Sequence, residues 1–171
     1  NISSPNTLHL RQLQATEALD DLLEQLKTEQ EKLTQIHGKY VPMVIKIAPD
    51  LDAEQIESIA TLLLAHQIDG VIATNTTTAR PGIEHLPAAQ EIGGLSGAPL
   101  THRATAVIKQ LHDLLQDRIP IIGVGGIMSA RNAEEKFTAG ARLIQLYTGL
   151  IYRGPDLVKE AAQAVCKSRI G

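Results

Sequence analysis

The sequence predicts an α/β fold, a parallel sheet of four strands alternating with helices. Three observations carry this. Short apolar runs rich in β-branched residues recur along the chain. A stretch with helical periodicity follows each run. Polar and glycine-rich residues gather just after the runs end, at Asn75 to Thr77, Gly125-Gly126 and Tyr147-Thr148. Such alternation implies right-handed crossovers and parallel strands.

A first helix spans Thr16 to about His37, with Leu19, Leu22, Leu23, Leu26, Leu33 and Ile36 on its apolar side and Gly38 as terminator. Val41 to Ala48 (VPMVIKIA) is apolar on both faces, which suits a strand buried in a parallel sheet. Asp52 opens the next helix, with Gln55 in capping-box position and Ile56, Ile59, Ala60, Leu63 and Leu64 forming its stripe. The second strand is Gly70 to Thr74. A long loop then runs from Asn75 to about Leu100, broken by Pro81, Pro87, Pro99, Gly82, Gly93, Gly94 and Gly97. Thr101 to about Gln116 reads as a helix. Ile119 to Val124 is the third strand, and Ser129 caps a helix that Gly140 stops. Arg142 to Leu146 is the fourth strand, and a last helix covers about Pro155 to Cys166. No linker divides the chain, so residues 1–171 read as part of one domain.

Composition narrows the function classes. Hydrophobic residues make up 43% and aromatics 2%, so the core is aliphatic and no stacking platform for nucleic acid is available. The net charge of -3, without a basic block, argues against phosphate-backbone binding. The single cysteine, Cys166, cannot staple the fold, and no apolar run approaches the ~20 residues of a membrane span. The histidines show no metal-ligand spacing, so no metal site is expected. The chain does not begin with Met and opens on what reads as a functional loop, so sequence is expected upstream.

Two closures fit the pattern. One is an open doubly wound sheet, and the other is half of a (β/α)8 barrel, whose full form takes ~250 residues. Both place a ligand beyond the C-terminal strand ends.

Several residues there carry chemistry. Gly125-Gly126 and Tyr147-Thr148-Gly149 suit a phosphate, since glycine lets backbone N–H groups approach it closely. Lys46 lies in an apolar strand. It either snorkels or holds its charge toward a bound anion, as beside the pyrimidine ring of a reduced flavin. Thr74-Asn75-Thr76-Thr77 either forms a polar turn or offers an amide plane to a uracil-like edge. The opening Asn1-Ile2-Ser3-Ser4-Pro5-Asn6-Thr7 reads on composition as a turn-rich loop. Ser4 has no His or Asp partner for a triad, so service as a base would need a dry site and a proton relay, for which Thr7 is placed. Asp50 and Asp52 read as a loop and helix-cap pair.

The opening segment, Val44-Ile45-Lys46-Ile47-Ala48-Pro49-Asp50, Asp69 to Thr77, Gly93-Gly94-Leu95-Ser96-Gly97, Ile121 to Gly126 and Tyr147-Thr148-Gly149, in that order and spacing, resemble the dihydroorotate dehydrogenase family. The likeness covers almost the whole chain. It implies the C-terminal half of a (β/α)8 TIM barrel binding FMN at its mouth. Asn1, Lys46, Thr74, Gly97, Gly126, Tyr147 and Thr148 would contact FMN. Asn1, Asn6, Asn75 and Thr76 would hold dihydroorotate or orotate. Ser4 would be the catalytic base, taking a proton from C5 while a hydride leaves C6. Serine rather than cysteine there resembles the quinone-reducing, membrane-associated branch. The parent would then be peripheral on the cytoplasmic side of a membrane, with the quinone reached through the N-terminal region, and this fragment soluble. Members often carry Pro-Gly where this chain has Leu8-His9. Alone, the chain would lack part of the site and be inactive, as a folded half-barrel or a self-associated one. Two other readings are a non-catalytic phosphate-binding fragment and another FMN barrel acting on a pyrimidine-like ring.

Overall fold

The computed structural model describes residues 2–7 and 9–168, without the side chains of residues 167 and 168. Four strands, β1 (Val44–Ile47), β2 (Gly70–Ala73), β3 (Ile121–Val124) and β4 (Leu143–Gln145), form one sheet in the order β1-β2-β3-β4, every pair parallel. Between and around them run α1 (Thr16–His37), α2 (Ala53–Ala65), α3 (Thr101–Leu115), α4 (Ala130–Thr138), α5 (Thr148–Arg153) and α6 (Asp156–Ser168).

This order decides between the two closures. A doubly wound sheet reverses its strand order at one point and carries helices on both faces. Here the order never reverses, so right-handed crossovers put the connecting helices on one face, as in a barrel wall. The register agrees. Ile45, Val71 and Ile121 lie abreast and are buried, as are Ile47, Ala73 and Gly123. The alternate row, Lys46, Ile72, Ile122 and Leu143, is half-buried along its length and 60% exposed at Leu143. One face is therefore sealed by helices and the other is only partly covered.

The main core joins those inward rows to Leu19 and Leu23 of α1, Ile56, Ile59 and Leu63 of α2, and Val107, Ile108, Leu111 and Leu115 of α3. Full burial of each large aliphatic side chain stabilises by roughly 1.5–3 kcal/mol. A second cluster joins Ile127, Ala133, Ala161 and Val165, packing α4 against α6. The Asp52–Gln55 capping box forms as expected, and Ser129 accepts from the Asn132 amide at the start of α4.

The strands are shorter than periodicity suggests. Pro42 and Pro120 have no N–H to give to a ladder. The Met43 amide turns instead to the Asp69 carboxylate at 2.7 Å, and Val41 is 60% exposed. The segment α5 falls where the sequence suggests only a loop after β4. The long loop is irregular but tied down. Arg80 donates to the carbonyls of Thr77, Thr78, Ala79, Ala89, Glu91 and Gly93, and Thr77 bridges Leu95.

Candidate functional site

The ends of all four strands open into one cavity of about 580 Å³. Its walls include Lys46 from β1, Thr74, Asn75 and Thr76 after β2, Gly97 from the long loop, Gly126 after β3, and Tyr147 and Thr148 after β4. These are the residues in which polarity follows an apolar strand, and the parallel sheet brings them to one rim.

Close approaches between loops depend on glycine. A Cβ on Gly126 would lie 2.4 Å from the Thr101 Cα, and one on Gly149 would lie 2.1 Å from the Ile127 carbonyl oxygen. Gly126 also takes φ +71, in the region that favours glycine. The Thr148 hydroxyl donates to Ser96 Oγ at 2.9 Å across the cavity wall. The N–H groups of Gly125 and Gly126 donate to no protein acceptor among the described residues. Hydroxyls and unshared amides of this kind suit a phosphate.

Lys46 is half-buried on the partly covered face and has no hydrogen-bond or ion-pair partner among the described residues. Burial pulls its ammonium below the usual lysine range. A half-buried ammonium without a carboxylate favours an anion in the adjoining space.

Asn75 spends its side chain on the loop. Its Oδ1 accepts from the Thr76 amide at 2.8 Å, and its Nδ2 donates to Ser3 Oγ at 3.1 Å. The turn reading and the site reading thus both describe Asn75, which lines the cavity while it holds the N-terminal segment. Thr74 is buried and donates from Oγ1 to the Asn75 carbonyl.

The opening segment lies at the rim. Ile2 enters the main core and Ser3 is fully buried. Ser4 and Asn6 do not line the cavity. The Asn6 amide donates to Ser4 Oγ at 3.2 Å. No hydrogen bond joins Ser4 to Thr7 among the described residues. Asn1 lies outside the described residues. Pro5 and Thr76 press so closely on Gly94 that a Cβ there would meet both, at 2.8 Å and 1.8 Å.

Arg11 and Asp50 hold this arrangement together, and sequence reasoning missed the pair. Arg11 donates to Asp50 Oδ2 at 2.9 Å, the Thr76 carbonyl at 2.8 Å and the Ser3 carbonyl at 3.3 Å. Asp50 also accepts from Thr77, from the Thr78 amide and hydroxyl, and faces Arg103 at 3.4 Å. Burial pushes its carboxyl up, but Thr77, the Thr78 amide, Arg11 and the Arg103 charge outweigh it and hold it below the usual range. An acid placed directly after a strand end was the available signal. Asp52, the cap, does not share this role. Ser96 was a further omission, visible only once the loop folds back onto Thr148.

Among the described residues, no three His, Cys, Asp or Glu side chains are grouped to hold a metal, and no helix is long and apolar enough to cross a membrane.

Comparison with known proteins agrees with this architecture. The family model described as dihydroorotate dehydrogenase matches residues 1–168. A dihydroorotate dehydrogenase (quinone) of Nitrosomonas europaea is 63% identical over 166 residues, which is 97% of this chain and 48% of that protein. One of Nitrosospira multiformis is 60% identical over 171 residues, covering 49% of its length. The chain thus spans about half the length of these curated relatives. The crystal structure of DHODH from Eimeria tenella in complex with ferulenol superposes with a TM-score of 0.90 at 34% identity, over 96% of this chain and 47% of the other. The ligand-free form from the same organism gives 0.89 at 35% identity. With a family match along nearly its whole length, and a one-sided parallel sheet that superposes on solved members, this chain belongs to the dihydroorotate dehydrogenase family.

Proposed function

We propose that this chain supplies the C-terminal half of an FMN-binding barrel that oxidises dihydroorotate to orotate and delivers the electrons to a quinone. The observation that carries the reading is the single cavity lined by Lys46, Thr74, Asn75, Thr76, Gly97, Gly126, Tyr147 and Thr148. Its volume lies within the ~300–1,000 Å³ of small-molecule sites. The donor set fits FMN, with amides and hydroxyls at the β3 and β4 ends for the phosphate and a lone ammonium near β1 for an electron-rich ring.

Gly125, Gly126, Ser96 and Thr148 bind the phosphate, while Gly97 and Tyr147 flank it. Lys46 stabilises negative charge on the ring, and its half-buried setting strengthens that effect. Asn1, Asn6, Asn75 and Thr76 orient dihydroorotate by its amide edges. When bound, FMN supplies the acceptor for the hydride leaving C6. Ser4 Oγ takes the proton from C5 as its own hydroxyl proton passes outward through a relay at Thr7, which leaves the C5–C6 double bond of orotate. Since Ser4 sits at the rim, its loop moves over the substrate and excludes water for this step. The half-covered face of the sheet supports completion by further strands, either an N-terminal half or a second copy. An unfolded monomer in sedimentation of the chain alone would refute both a folded half-barrel and completion by a second copy.

The test is purification of the full-length enzyme. A yellow protein that reduces a quinone analogue with dihydroorotate, and not with dihydrouracil, supports the proposal. A colourless protein without that activity refutes it.

A further inference from the structure

Lys136 is fully buried in α4, whereas Lys32, Lys39, Lys109 and Lys159 are exposed. Its stem crosses β3, where a Cβ on Gly123 would lie 3.3 Å from the Lys136 Cβ. Its ammonium donates to the Thr101 carbonyl at 2.8 Å and to Thr105 Oγ1 at 2.6 Å. It forms no ion pair with a carboxylate among the described residues. Nothing in the catalytic scheme above uses it.

The chain of contacts continues toward the cavity. Thr101, the first residue of α3, donates from Oγ1 to the Gly126 carbonyl at 2.7 Å. The backbone of Thr101 lies so close to Gly126 that no side chain fits between them. Gly126 lines the cavity and keeps its own N–H unshared. Fixing the Gly126 carbonyl fixes the plane of the peptide it belongs to, and so the course of the loop that leaves β3. Lys136 thus holds Thr101, and Thr101 holds the glycine loop.

We propose that Lys136 is a positioning residue for the phosphate subsite, acting through Thr101 on Gly126 and lending the loop a buried positive charge. This deepens the FMN reading and rests on it. A structural lysine in a core is costly, because burial without an anion disfavours its charge. Burial does pull this ammonium down to about 8, against a weaker opposing pull from Glu135. An apolar residue would fill the same space without that cost. Retention of an ammonium here therefore points to work done on the neighbouring anion site.

The role is specific to the phosphate, so it separates FMN from riboflavin, which lacks one. The experiment measures the dissociation constants of both flavins in the full-length enzyme, unaltered and with Lys136→Met or Thr101→Val. Each substitution should weaken FMN by about tenfold, the scale of one lost buried hydrogen bond, and leave riboflavin within about twofold. Thr101→Val keeps the shape of the residue and removes only the bond to Gly126, so unchanged FMN affinity in that variant overturns the inference even if Lys136→Met does not fold. Equal weakening of both flavins, or unchanged FMN affinity in a folded variant, overturns the inference. An unaltered enzyme that binds FMN no better than riboflavin overturns the phosphate-site reading itself, and the inference with it.

Discussion

Replacing Arg11 with Met keeps most of the stem and removes the guanidinium that ties the opening segment to the strand ends. Three hydrogen bonds are lost, to Asp50, the Thr76 carbonyl and the Ser3 carbonyl. Bonds to a charged partner contribute ~1.5–3 kcal/mol each when buried. The side chains of Arg11 and Asp50 keep 24% and 17% exposure, so values fall at the low end, and the bond to Ser3 is long at 3.3 Å. Asp50 also keeps Thr77, Thr78 and Arg103, so its carboxylate is not orphaned. The full ~3–5 kcal/mol of a broken buried pair is therefore not reached. The expected loss is about 2–3 kcal/mol in urea unfolding, with the m-value unchanged. Hydrogen exchange in residues 2–7 should rise more than in α3. The acid limb should shift as well. Asp50 titrates below its unfolded range, so it contributes stability above ~pH 4 that is lost as pH falls through its folded value. Without Arg11 that value moves up, and the loss sets in at a higher pH. A stability change under ~0.5 kcal/mol with unchanged exchange would show that Arg11 does not hold the segment.

Three further predictions follow from single residues. Lys46→Met should leave flavin-free stability unchanged or raise it by up to about 1 kcal/mol, since a half-buried ammonium without a partner is removed, while FMN binding weakens; paired thermal melts with and without FMN check this. Lys136 has its folded pKa below the ordinary lysine value, so the unfolded chain binds more protons between about pH 8 and ~10.5. The unaltered protein should thus gain on the order of 3 kcal/mol relative to Lys136→Met across that window, read from urea midpoints at its two ends. His9 takes φ 62, in the left-handed region that favours glycine. His9→Gly should raise stability by about 0.5–1 kcal/mol in urea unfolding, and a loss of stability would show that His9 makes a compensating contact.

Much of the fold was legible because it is local. The stripe of α2 and its Asp52–Gln55 cap are neighbours in sequence, and so is the Ser129 cap of α4. The cavity was legible because each strand delivers its polar residues at its own end. What was hidden depends on partners far along the chain. Arg11 and Asp50 are separated by 39 positions, and Lys136 and Thr101 by 35. Lys136 did leave a trace, since it falls with Ala133 and Phe137 on the apolar side of α4, where a charge is out of place. The segment α5 escaped because Thr148–Arg153 is too short to show a period. Strand lengths were overestimated because apolar character continues past Pro42 and Pro120, where pairing stops.

The most direct test of the account mixes the FMN-loaded full-length enzyme with dihydroorotate in the absence of oxygen and quinone. Bleaching of the flavin with release of one orotate per flavin is the predicted result, and the same enzyme with Ser4→Ala should bleach far more slowly at neutral pH. A bound flavin that stays oxidised, or a Ser4→Ala enzyme that bleaches at the unaltered rate, would contradict the account.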